Sequence, residues 1–283
     1  MAAPKRIPSP YHPLHGFRLK LNRAQGHART LYAEIDAWFS RHPYEVFGQY
    51  EPGPPEAYVF KARFLELPPS EWGLILGDFA HNARSALDHL AYQVVMLGNG
   101  GIHQEQTQFP IVLAPWGWPG AASYRLNGAS SRHIGIIESF QPYLRPDPYG
   151  WYSIWGAMKD PLAVLSRLSN VDKHIVLNAT AATVQSIGWD AEIVRDVESI
   201  GAQEAPMGIL LDEEVMVRVG IVSCGPDPAL KLTRSERMEI RVQHRVDLGK
   251  DSYTLLDVPL KKSVDAILGR LREIFQVFVG EFR

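Results

Sequence analysis

Gly77 to Gln93, GDFAHNARSALDHLAYQ, is the stretch on which the reading of this chain turns. At 100° per residue, Phe79, Ala83, Ala86, Leu87, Leu90 and Val94 share one arc of a helix. Asp78, His81, Asn82, Arg84, Ser85, Asp88, His89, Tyr92 and Gln93 share the other. The polar arc holds no Lys and no Glu, the long helix-favouring residues that usually fill a face meeting only water. Short hydrogen-bonding side chains lose little rotamer entropy when fixed. Two histidines, two aspartates and an arginine within 12 residues are therefore read as placed against something, either protein interior or a substrate.

Upstream, Pro68-Pro69-Ser70 sets up the start of this helix, with Ser70 as N-cap and Glu71 in the first turn. The helix is expected to run to about Leu97, where Gly98, Gly100 and Gly101 end it. Before it, YEVFGQYE and AYVFKARFLEL flank the turn-rich EPGPPE and predict a β-hairpin. Residues 16–41 predict a helix with a stripe of Leu21, Ala24, Ala28, Leu31, Ile35, Trp38 and Phe39, and residues 1–15 an irregular proline-rich arm. Downstream, residues 99–130 read as a long surface connection, followed by a short helix over about 131–140. Trp116, Trp118, Trp151 and Trp155 are expected in loops. Pro161 suits the first turn of another helix, with Leu162, Leu165 and Leu168 inward. From Ala179 the runs ATVQSIGW, EEVMVRVGIVS and RMEIRVQHRVDL alternate as strands, and Leu260 to Arg283 reads as an amphipathic helix. The expected fold is α+β. A helical bundle with an inserted β-hairpin occupies residues 16–178, and a small antiparallel sheet closed by a terminal helix occupies residues 179–283.

The chain's 283 residues, 46% hydrophobic, are enough for a sizeable core. A formal net charge of −2 weighs against a high-affinity, sequence-independent nucleic-acid binder, but not against an enzyme with a local basic site. The single cysteine, Cys224, excludes an internal disulfide and fits a reducing cytoplasm. No apolar run of the roughly 18 residues needed to span a membrane is present, nor a signal-peptide core, so a cytoplasmic protein without membrane partners is expected. Phosphate-binding GxxxxGK[ST], GxGxxG after a strand, HExxH and CxxC are all missing.

Within the polar arc, Asp78 with Asn82, His81 with Ser85, Arg84 with Asp88, and Ser85 with His89 lie one turn apart. A second constellation, Ser169-Asn170-Val171-Asp172-Lys173-His174, places Asn170 and His174 one turn apart beside the charges of Lys173 and Arg167. Packing one helix on the other would gather three histidines with Asp, Asn, Arg and Lys. The plainest reading makes Arg84–Asp88 an intrahelical ion pair worth a few tenths of a kcal/mol and the rest a hydrogen-bond network. Such a network would dock the C-terminal part or a second subunit without catalysis. A metal-dependent hydrolase is the other alternative, since Asp78-x2-His81 with Asp88 and His174 has a spacing that helical-bundle divalent-metal sites use.

Arg84-x4-His89 also resembles the R-x4-6-H motif of the HEPN ribonucleases, helical-bundle proteins of toxin–antitoxin and phage-defence systems. That resemblance implies metal-independent cleavage of RNA by a homodimer, with no cofactor. His89 would act as general base or acid, and Arg84 would stabilise the phosphorane-like charge. His81, Asn82, Asp78, Asp88 and His174 would support them. Trp72 to Gln93, read as W-x-L-I-x-G-D-x2-H-N-x-R-S-x-L-D-H-L-x2-Q, is a longer likeness. With QFP (Gln108 to Pro110), QPY (Gln141 to Tyr143) and LSNVDKH (Leu168 to His174), it resembles an uncharacterised bacterial family. This implies a bacterial source and treats the two polar constellations as one site. The functional expectation is a HEPN-like endoribonuclease or a related phosphodiester-cleaving defence protein. The non-enzymatic network and the metal hydrolase stand as alternatives.

Overall fold

Trp72, Leu76, Phe79, Ala80, Ala83, Ala86, Leu87, Leu90, Ala91 and Val94 are all completely buried, and they line one side of the central helix α2 (Glu71–Gly98). In the computed structural model, residues 12–99, 105–145, 154–172, 178–184, 191–204, 215–232, 238–247 and 252–282 are described. The apolar arc of the sequence is thus the buried side of α2, and each large side chain on it contributes about 1.5–3 kcal/mol of burial.

The chain divides into two compact units: Met1–Leu31, Gly73–Leu177 and Lys261–Arg283 in one, Tyr32–Trp72 and Asn178–Leu260 in the other. The first is helical. It holds the first part of α1 (His15–Ser40), nearly all of α2, then α3 (Trp118–Arg125), α4 (Ser131–Glu138), α5 (Ile154–Met158), α6 (Pro161–Asp172) and α7 (Leu260–Val279). Leu21, Ala24 and Ala28 of α1, Leu162, Leu165 and Leu168 of α6, and Val264, Ile267, Leu271, Ile274 and Phe278 of α7 are buried at helical spacing. The rings of Phe17 and Phe275 stack at 5.3 Å. A buried carboxylate ties three segments together. Asp160 accepts the Leu162 N–H at 2.8 Å at the start of α6, takes Arg145 at 2.8 Å, and faces Arg270 of α7 at 3.3 Å.

The second unit is mainly sheet. The hairpin β1 (Tyr44–Glu51) and β2 (Ala57–Phe64) pairs from Tyr44↔Phe64 to Glu51↔Ala57. Strand β2 then pairs antiparallel with β6 (Val215–Ser223), which carries β5 (Val197–Glu204) on its other side. The remaining strands form β3 (Asn178–Val184), β8 (Met238–Asp247) and β9 (Ser252–Pro259) in one sheet, and β4 (Ala191–Arg195) with β7 (Ala229–Leu232) in another. Val217, Val219 and Ile221 alternate inward on β6 and pack with Tyr58, Phe60, Val197 and Leu230. The hairpin also carries polar cross-strand pairs, Arg63–Glu45 at 3.0 Å and Lys61–Gln49 at 3.0 Å.

The α+β class therefore holds, with a helical bundle, antiparallel sheet and a terminal helix. The distribution along the chain is more interleaved than the sequence reading has it. The hairpin is not confined to the helical part, because β2 hydrogen-bonds to β6, and α7 belongs with the helical unit. Residues 99–130 are likewise more than a surface connection: α3 lies within them, and Phe109, Pro110, Trp118, Ala122 and Leu126 are buried. Trp118 and Trp155 sit in helices rather than loops, Trp116 is exposed, and Trp151 lies outside the described residues.

Candidate functional site

The polar arc of α2 meets three different environments. At the middle of the helix, the Arg84 guanidinium reaches both carboxylate oxygens of Asp88, at 3.3 and 3.1 Å. It also donates to the Phe109 carbonyl at 2.6 Å, while the Phe109 N–H donates to Asp88 Oδ1 at 2.9 Å. Both polar groups of one peptide residue are thus held by an ion pair one helical turn long. Gln141, buried before the turn Pro142–Leu144, continues the arrangement: its Oε1 accepts the Val112 N–H at 2.9 Å and its Nε2 donates to the Pro110 carbonyl at 2.9 Å. The QFP and QPY marks are therefore two ends of one set of bonds that fixes residues 109–112 on the bundle. Burial pushes the Arg84 pKa down, Asp88 opposes that, and the charge of Arg125 at the end of α3 adds to it. A guanidinium stays protonated under such shifts.

Toward its N-terminal end, the arc meets α6. Gly77 has no side chain, and a Cβ there would collide with the carboxylate of Asp172, the last residue of α6. Asp172 thus lies directly against the backbone of α2, beside exposed Asp78 and His81. Its pKa is raised, chiefly by burial and then by the Asp78 carboxylate, with His81 pulling the other way. Asp172 thus feels a second carboxylate and an imidazole from the polar arc of α2.

The third environment belongs to His89. Its ring lies over Gly16 of α1, where a Cβ would come within 2.7 Å of Nδ1. His89 and Arg84 are five residues apart, hence about 140° around the helix, and their contacts lie on different partners, α1 and the Phe109 segment. Asn82 bonds inside its own helix, its Nδ2 donating to the Asp78 carbonyl at 2.8 Å.

The structure accordingly brings Arg84 together with Asp88, and Asp78 with His81, but sets His89 apart from both. His174 and Lys173 lie outside the described residues. Among the described residues, no group of three or more His, Cys, Asp or Glu side chains is arranged to hold a metal ion, which bears on Asp78, His81 and Asp88 of the expected metal set. Sequence reasoning missed Arg125 and the two glycines, and it named Asp172 as one member of the second constellation without giving it a role. Gly77 did carry a signal, since a glycine inside a helix costs roughly 1 kcal/mol against alanine and implies close packing.

No family model matches the chain, and no curated protein or solved structure matches it either.

Proposed function

We propose that the N-terminal half of the α2 polar face is the acid–base centre of an enzyme that cleaves phosphodiesters, with RNA as the substrate class. The seating of the Asp172 carboxylate on Gly77, beside Asp78 and His81, carries this reading. Cleavage through the ribose 2′-OH needs one group to take its proton and another to protonate the departing 5′-oxygen. The His81 imidazole suits the first step. Asp172, which burial and Asp78 make harder to ionise than an ordinary carboxyl, suits the second.

His89 enters differently from the motif's implication. Eight residues separate it from His81, roughly 12 Å along the axis, too far for both to serve one phosphorus atom within hydrogen-bond reach. It is assigned to holding the neighbouring part of the substrate. The RNA specificity and the bacterial-defence role rest on the R-x4-6-H likeness together with this acid–base grouping.

Cleavage of end-labelled RNA in the presence of chelator tests the reading. The expected outcome is cutting that a 2′-deoxy substitution at the scissile position abolishes, and that His81→Ala slows by about 10²-fold or more. Wild-type protein that leaves RNA intact, or a His81→Ala variant as fast as wild type, would refute it.

A second reading has its own observation in the bonds from Arg84 and Asp88 to Phe109. If the whole arc were such a network, the protein would be a non-enzymatic interaction module, and every polar substitution on α2 would unfold it without any activity to lose.

A further inference from the structure

Away from α2's polar face, a buried imidazole joins a wet hydroxyl to an arginine-held carboxylate. Ser130, exposed, precedes α4, and its Oγ lies 3.0 Å from His133 Nδ1. On the other side of the ring, His133 Nε2 lies 3.6 Å from Glu281 Oε2. Glu281 is gripped by both Nε and Nη2 of Arg132, at 2.7 and 2.8 Å, and this bonding lowers its pKa, so it stays ionised. The His133 ring is 7% exposed and lies nearly parallel to Phe282, 6.1 Å between centroids, with Phe278 tilted at the same distance.

This geometry orders the protons. A carboxylate facing Nε2 favours the tautomer with its hydrogen on that nitrogen, which leaves the Nδ1 lone pair toward Ser130. The Ser130 hydroxyl then donates to Nδ1. Its oxygen still accepts the His133 backbone N–H at 3.3 Å, because a hydroxyl donates once and accepts twice. The segment holding Ser130 is fixed from behind by α2, since a Cβ on Gly98 would come within 2.8 Å of the Ser130 nitrogen. Capping alone explains the bond to the backbone N–H. It does not explain a buried ring aligned between that hydroxyl and a carboxylate brought from 148 positions further along the chain (281 − 133 = 148).

We propose that Ser130, His133 and Glu281 form a nucleophile–base–carboxylate relay that accepts acyl groups from small esters, a hydrolytic site separate from the α2 face. Ser130 Oγ forms a bond to the ester carbonyl carbon as its proton passes to His133 Nδ1. Collapse of the tetrahedral adduct breaks the bond to the alcohol oxygen, which takes that proton and leaves. Water, deprotonated by the same nitrogen, then adds to the acyl carbon and releases the acid, restoring the hydroxyl. Glu281 stabilises the imidazolium formed on the way. Of the first-turn N–H groups of α4, that of His133 already donates to Ser130 Oγ, and those before it would serve the developing oxyanion.

The test is labelling of the full-length protein by a fluorophosphonate probe, followed by peptide mapping. The adduct is expected on Ser130. Ser130→Asn, which retains a helix-capping side chain, should abolish it, and Glu281→Gln should slow it at least tenfold. Absence of an adduct on Ser130, or full-rate labelling of Glu281→Gln, would overturn the proposal.

Discussion

The two ends of the α2 polar face are built from the same kinds of residue and stand in opposite electrostatic states. At one end Asp88 faces Arg84, and both bond to the backbone of Phe109, so opposite charges are satisfied and the contact holds the fold. At the other end half-buried Asp172 faces the like charge of exposed Asp78, with His81 pulling the other way. Satisfied charges are what a structural network requires. Unfavourable ones persist where chemistry gains from a shifted proton affinity. The difference separates the part of the helix that supports the bundle from the part assigned to catalysis.

Substitutions can break this comparison or sharpen it. Arg84→Ala should have the largest effect, a loss of about 3 kcal/mol read as a lower urea midpoint, because it removes a hydrogen-bonded charge from half-buried Asp88 and from the Phe109 carbonyl. A shift below about 1 kcal/mol would mean that this end is not structural. Gly77→Ala should follow, destabilising by about 1–3 kcal/mol through the collision with Asp172. Adding Asp172→Ala should restore most of that loss, and simple additivity in the double-mutant cycle would show that the two sites do not touch.

Gly26→Ala is the matched control. This glycine is also inside a helix, but nothing lies within 4 Å of its missing Cβ, so alanine should stabilise by about 0.5–1 kcal/mol. Equal behaviour of the two glycines would remove the reason for assigning Gly77 to the site.

Asp172→Asn should give the smallest change, and it is recognised by its pH dependence. The folded pKa of Asp172 is raised, so the folded state binds more proton than the unfolded one between the ordinary carboxyl value and the raised value. The aspartate therefore costs stability as pH rises through that window, and the cost is fully present above it. Asparagine should raise the melting temperature at neutral pH and do little below the unfolded pKa. A lower melting temperature at neutral pH would show that Asp172 has a favourable partner instead.

Much of α2 was legible in advance because a 28-residue helix writes its buried side into the sequence at fixed spacing. The hairpin was legible for the same local reason, although its second strand stops at Phe64, three residues short of the run read in the sequence. Its partner was not, because Phe60↔Val217 joins residues far apart in sequence, and no local pattern specifies that pairing. Strands β4, β5, β7 and β9 escaped notice too. VESIGAQE lacks regular alternation and ALKL spans four residues, so pairing with neighbours rather than intrinsic pattern defines them. In the site, composition singled out the polar arc and the Asp172-containing segment. It favoured Arg84 with His89, which rotation about the helix axis sends to different partners, and it passed over Asp172, whose role depends on how α6 meets Gly77.

Activity and stability measured on the same samples of Arg84→Lys and His81→Ala test the division of the helix most directly. For His81→Ala the expected result is RNA cleavage reduced about 10²-fold or more, with an unfolding midpoint within about 0.5 kcal/mol of wild type. For Arg84→Lys it is a clear loss of stability, since a lysine cannot reproduce the forked bonds to Asp88 and Phe109. The reverse pattern, His81→Ala unfolding while cleavage per folded molecule is unchanged, would contradict the account.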